Sequence, residues 1–182
     1  MASFSVKGLA EYETMLSRLA EQSDAVAIRA LQAAAKPVAD RVRRNLENLQ
    51  EDFQPRPDAP YRYLSELSEG GRQSYTGIPP HQKEDLLEAL GITPVKVSED
   101  GTYNVKIGFE STQSGNVKGY GSQPTETYPK GQPLLMIARS VESGTSIQPK
   151  QPFFRPAVEA TKKQAVEEMN RVISEAAEKI MK

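Results

Sequence analysis

From Ile28 to Leu49 the chain repeats apolar side chains every three or four residues: Ile28, Leu31, Ala35, Val38, Val42 and Leu49, with Asn45 among them. That spacing puts them on one face of an α-helix, with Arg29, Lys36, Asp40, Arg43 and Arg44 on the other. Ser23 or Asp24 is placed to cap the helix, because a short side-chain oxygen accepts an orphan backbone N–H. Pro37 falls inside the pattern. It removes one hydrogen bond and crowds the preceding turn, so a kink or break is expected near Ala34–Lys36. A separate, earlier helix is expected over Leu9–Ala20, from Leu9, Tyr12, Leu16 and Leu19. Phe4-Ser5-Val6, ended by Gly8, fits a short strand.

Downstream, Lys83–Leu90 fits a short helix closed by Gly91 as a left-handed cap. Val95 and Val97 alternate with polar residues, Glu99-Asp100-Gly101 supplies a turn, and Tyr103, Val105, Ile107 and Phe109 alternate again. This is a β-hairpin pattern with one face buried. Pro133–Val141 fits either a strand or a short helix. After Pro152–Pro156 a terminal helix is expected. Its apolar face is Val158, Ala165, Val166, Met169, Val172, Ile173, Ala176 and Ile180, and Thr161, Lys162, Glu168 and Glu175 fall largely on the other. The order predicts an α+β fold: a small antiparallel β-sheet packed by a long kinked N-terminal helix and a C-terminal amphipathic helix. The 182 residues fit a single domain, 1–182, with Pro- and Gly-rich loop insertions near 50–80 and 110–132.

The chemistry on offer is thin. There is no Cys and one His, so no thiolate or multi-histidine metal site is expected. His81 beside Pro79-Pro80 fits a solvated loop histidine. Glu51-Asp52 and Glu84-Asp85 sit at helix ends or in polar loops, where charge is ordinary. Gly115–Gly121 lacks the Gly-Lys-Ser/Thr ending of a phosphate-binding loop, and no Gly-x-Ser-x-Gly elbow occurs. The formal net charge of -1 favours neither nucleic acid nor membrane as main partner. No stretch reaches the roughly 20 apolar residues of a membrane span. The initial segment has no apolar run long enough for a signal peptide. Lys36, Arg41, Arg43 and Arg44 form a basic cluster that fits phosphate contact or a solvated helix back. Tyr61 and Tyr63, interleaved with Arg62, fit a partner-contacting loop or a base-stacking one.

One segment is more specific. Ser140–Ala160 reads SVESGTSIQPKQPFFRPAVEA. Its local physics describes a connector: a strand ending in a turn at Gly144, an extended stretch stiffened by Pro149 and Pro152, and Pro156 in a helix's first turn. Adjacent Phe153 and Phe154 point to opposite sides of an extended chain, one towards the core and one towards a neighbour. The segment resembles the motif of neck or tail-completion proteins of lambdoid-type siphophages and prophages. There a Val-Glu-x-Gly-Thr turn leads to Pro-x-Pro-Phe-x-Arg-Pro-Ala and a C-terminal helix. The matching residues are Val141, Glu142, Gly144, Thr145, Pro152, Phe153, Arg155, Pro156 and Ala157. Val6-Lys7-Gly8-Leu9, Ala35-Lys36-Pro37-Val38 and Asp85–Leu90 are similar to the family's opening and its short helix. The two long loops depart from the family pattern.

The resemblance implies a structural virion protein, with no catalytic residue and no cofactor or metal. It implies a homo-oligomeric ring at the head–tail junction, expected to be six-fold to match a tail tube. Its partners would be head-completion or adaptor proteins and the tail-terminator or tail-tube proteins. A tail-terminator role stays open. On this reading Glu142, Gly144, Thr145, Phe153, Phe154 and Arg155, with Tyr61 and Tyr63, are candidate interface residues. Lys36, Arg41, Arg43 and Arg44 would face a DNA channel, with at most nonspecific contact. A small nucleic-acid-binding module is the alternative of a different class.

Overall fold

The computed structural model describes residues 9–51, 77–109, 119–124, 126–145 and 148–181. The expected strand at Phe4–Val6 and the loop tyrosines Tyr61 and Tyr63 lie outside them. The architecture is α+β, as expected. Helix α1 (Leu9–Glu47) is followed by α2 (Pro80–Ala89) and the short strands β1 (Leu90–Ile92), β2 (Lys96–Val97), β3 (Tyr103–Asn104) and β4 (Ile107–Phe109). Helices α3 (Leu134–Ser143) and α4 (Phe154–Met181) complete it.

The two helices expected at the N-terminal end are one, of 39 residues. Between Leu9 and Lys36 the sequence has neither Gly nor Pro, so nothing stops the helix. The expected caps act otherwise. The Ser23 hydroxyl donates back to the Ala20 carbonyl at 2.8 Å, and Asp24 accepts the Tyr103 hydroxyl. Helix continues on both sides of Pro37. The buried face is also turned from the expected one. Ala30, Val42 and Leu46 are at most 1 % exposed, whereas Ile28, Leu31 and Val38 are only half-buried.

Helix α4 packs back along α1, in the largest contact of the fold. The Asn45 amide near the end of α1 donates to the Phe153 carbonyl at the start of α4, 2.8 Å away. Small residues dominate the buried positions of this pair: Ala30 and Ala35 on α1, Ala157, Thr161 and Ala176 on α4. They let the helix axes approach closely. Thr161, expected on the polar face, is buried, with its hydroxyl bonded to the Ala157 carbonyl at 2.7 Å.

The hairpin turn forms as expected. Gly101 has φ 80°, and the Asp100 carboxylate accepts the Thr102 N–H at 3.0 Å. The ladder is interrupted, however. Leu90 pairs with Phe109 and Ile92 with Ile107, but Lys96 pairs with Asn104 and Val97 with Tyr103. The register slips by one residue between them, so Pro94 and Val95 together oppose Val105. This is a bulge, placed where Pro94 has no N–H to give the ladder. Thr93 bridges the gap, its hydroxyl accepting the Lys106 N–H at 3.0 Å. Gly91 is not a left-handed cap. It lies in β1, because α2 begins earlier than expected, at Pro80, and turns directly into the strand at Leu90.

The core gathers where the last turns of α1 meet α2, β1, β4, α3 and the start of α4. Its fully buried large side chains include Leu46, Ile78, Leu86, Leu134 and Phe153. The Phe153 ring stands edge-on to Phe109, centroids 6.0 Å apart. Truncating it, Phe153→Ala, should cost about 3 kcal/mol in urea unfolding. Phe154→Ala, at a half-buried position, should cost clearly less.

Candidate functional site

The segment singled out in the sequence is the joint between α3 and α4. Leu134, Ile137, Ala138 and Val141 recur at helical spacing and are all buried, so Pro133–Val141 resolves to a helix. The expected strand through Val141 and Glu142 is therefore the last turn of α3. The left-handed residue is where expected: Gly144 has φ 75° and its N–H donates to the Ser140 carbonyl. A Cβ on Gly144 would also stand 3.0 Å from the Lys150 nitrogen, because the returning chain crosses over it.

The return is held by hydrogen bonds on both sides. The Gln151 N–H donates to the Val141 carbonyl at 2.9 Å, satisfying one of the open carbonyls at the end of α3. The Gln151 side-chain amide pairs with the backbone of Gln50 as a strand would, accepting its N–H at 2.8 Å and donating to its carbonyl at 3.2 Å.

Glu142 is the centre of the joint. Its carboxylate accepts the backbone N–H groups of Phe153 and Phe154, both at 2.8 Å, and of Arg155 at 3.0 Å. A helix leaves its first N–H groups without partners. Here one carboxylate takes three, and Pro156 has none to satisfy. A carboxylate at the C-terminal end of α3 is poorly placed for that helix's dipole, yet it lies against the positive end of α4. Burial alone would raise the Glu142 carboxyl, but the three N–H groups and the Arg155 guanidinium outweigh it and hold the carboxyl below the usual range.

The candidate interface residues thus separate into two groups. Phe153 is 1 % exposed and belongs to the core. Phe154 is half-buried and meets Phe153 edge-on at 6.5 Å, so it does not simply face outwards. Glu142 and Gly144 are occupied by the joint. Thr145 is exposed, with its N–H on the Gln148 carbonyl and its hydroxyl accepting the Gln148 N–H. The Arg155 side chain is 79 % exposed, its Nε 4.0 Å from Glu142.

The basic cluster is a second, separate surface. Lys36, Arg41, Arg43 and Arg44 are exposed on α1. Arg43 reaches the Leu87 carbonyl at 3.2 Å and Arg44 bonds back to the Asp40 carbonyl at 3.4 Å. Helical spacing brings Lys36, Arg43 and Arg44 together around Asp40 and carries Arg41 further round.

Two polar groups not anticipated from sequence fasten the second loop. Asp85, buried on α2, accepts the Ser122 N–H at 2.9 Å and its hydroxyl at 3.1 Å. Gln82, one turn earlier, donates to Gln132 at 3.3 Å. The signal was present: Gln82 and Asp85 share a helix face with Leu86 and Ala89. Lys83 similarly reaches the Leu49 carbonyl and Glu51 beyond the end of α1. His81 is held below its ordinary pKa by burial, which Asp85 and Glu84 only partly oppose. Among the described residues no group of three or more His, Asp or Glu is placed to hold a metal ion, and no helix is long and apolar enough to cross a membrane.

Glu142→Ala should destabilise the protein by about 2 kcal/mol, the loss of a charge-assisted helix cap. The folded pKa of Glu142 lies below its ordinary, unfolded value. The cap's contribution is therefore complete above that pH and is lost as pH falls through the folded value. Glu142→Gln should lose this part of the acid dependence in urea titrations between neutral and acid pH. Comparison with family models, with curated proteins and with solved structures finds no match for this chain.

Proposed function

We propose that the chain is a structural subunit of a tailed-phage neck or tail end. It assembles into a ring at the head–tail junction, surrounds the DNA channel and joins tail to head without catalysing a reaction. The observation that carries the reading is the motif Val141–Ala157. The proposal rests on its resemblance to tail-completion proteins, and the geometry gives its residues coherent work. Glu142, Gly144, Phe153 and Pro156 build a rigid corner, and Arg155 stands exposed on it. Rigid corners with one exposed guanidinium suit a heterologous contact, in which one patch meets a different patch on the next subunit. In the virion the protein would sit in the neck, after assembly in the host cytoplasm.

The second reading, a nucleic-acid-binding module, is favoured by the exposed cluster of Lys36, Arg41, Arg43 and Arg44. Asp40 and Glu47 on the same helix weaken its field. Within the ring reading this cluster makes only nonspecific contact with the passing genome. A tail-terminator ring would use the same corner at a neighbouring position.

The test is joining in vitro. Wild-type protein added to filled heads and tails that lack it should restore infectious particles. Arg155→Glu should abolish joining while shifting the melting temperature by no more than a few degrees, since the side chain is exposed. Full joining by Arg155→Glu would remove this residue from the interface, and no joining by the wild type would remove the function. Steep salt-dependent DNA binding by the isolated protein, lost in Lys36→Ala/Arg44→Ala, would favour the module instead.

A further inference from the structure

One line along α1 stays in water over most of the helix. Arg18, Gln22, Ala25, Arg29, Gln32 and Lys36 are all exposed. Their spacings alternate between four and three residues, so they keep within about 40° of a single line. Val26 and Ala30 are buried on one flank of it and Ala35 on the other. The line is therefore the outward ridge of α1.

The ridge carries Arg18, Arg29 and Lys36 and no acidic residue between them. By the same spacing Glu11 precedes Arg18, and Asp40 and Glu47 follow Lys36, so the acids of this line stand at its two ends. Glu21, three residues on from Arg18, lies about 60° round the helix. Among the described residues no carboxylate is within ion-pair distance of Arg18, Arg29 or Lys36. The Arg29 Nε donates to the Ala25 carbonyl at 3.3 Å, which leaves most of its five donors to solvent. Helix α4 differs: Lys163 is paired with Glu167, and Arg171 with Glu168 and Glu175. Cations on α4 are met within the chain, and those of the ridge are not.

We infer that the ridge from Arg18 to Lys36, about 27 Å of helix, binds the phosphate backbone of duplex DNA without reading its sequence. Its three cations suit phosphates, and Gln22 and Gln32 between them can donate to phosphate oxygens. No aromatic side chain stands on the ridge, so it has no platform for the base stacking that holds single strands. The inference rests on the reading that α1 meets nucleic acid. It moves the contact from the cluster around Asp40 to the ridge and brings in Arg18 and Arg29. Arg41, about 140° round the helix from Lys36, has no part in it.

The test is binding of the full chain to a labelled duplex, followed by fluorescence anisotropy as salt is raised from a low concentration. Three phosphate contacts should give a plot of log K against log salt with a slope of about −2.7, from about 0.9 for each contact. Arg18→Ala, Arg29→Ala and Lys36→Ala should each reduce the slope by about 0.9. All three positions are exposed, and alanine favours helix, so the fold should be kept. Lys163→Ala removes the same charge from α4 and should leave the slope unchanged. A change of duplex sequence should do the same. No duplex binding at low salt would overturn the inference. So would a slope indifferent to the ridge variants, an equal loss in Lys163→Ala, or tighter binding to a single strand than to the duplex. Joining of heads to tails without duplex binding would overturn this inference alone. Duplex binding without joining would leave it standing and remove the ring.

Discussion

The carboxylate of Glu142 is the interaction on which the arrangement of the helices turns. It belongs to the last turn of α3 and binds the first N–H groups of α4. Two helices that would otherwise be linked only by the connector between them are thereby fixed at a set angle. That angle delivers Phe153 into the core and sends α4 back along α1. Ring edge contacts, the Asn45 bond and the long helix seam all follow from it. A carboxylate is suited to this because three charge-assisted bonds offset the desolvation of a largely covered group.

The same economy recurs on the other side of the core. Asp85 does for the second loop what Glu142 does for α4, binding a backbone N–H and a hydroxyl from Ser122. Two glycines make the close approach possible. A Cβ on Gly121 would meet the Asp85 carboxylate at 2.9 Å, and one on Gly131, at φ 93°, would collide with the Gly121 carbonyl. Part of a stretch that composition marks as irregular is thus clamped to the body through its backbone.

Local signals in the sequence suffice where one residue decides the geometry. Gly101 and Gly144 take positive φ, Pro156 enters a first turn, and the terminal helix begins beside the paired phenylalanines. They do not suffice where an outcome depends on partners. The joint between Ala20 and Asp24 looked like a helix boundary because Ser23 and Asp24 are good caps, but cap residues do not end a helix that lacks a breaker. Pro133–Val141 was ambiguous because so short a run shows little more than two turns. Thr161 looked polar and is buried, since a hydroxyl can satisfy itself on its own helix. The motif residues of the candidate site are legible in the sequence, but Glu142's work is not, because its partners lie 11 to 13 residues away across a turn. The Asp85–Ser122 clamp spans 37 residues, so the helical spacing that places Asp85 on the buried face of α2 could not name its partner.

The side chain of Gln151 has a consequence beyond the joint. It grips both backbone groups of Gln50, and the carbonyl of Gln50 also receives the Ile78 N–H at 2.9 Å. The ends of the segment between residues 51 and 77 are therefore fastened by the body itself, whatever the segment contains. Gly77 belongs to this fastening, since a Cβ there would strike the Gln50 carbonyl. Between ends already pinned, added length costs free energy only logarithmically, about 0.6 kcal/mol per doubling for a flexible connection. The fold thus has a socket that can hold inserts of different size while the core stays unchanged.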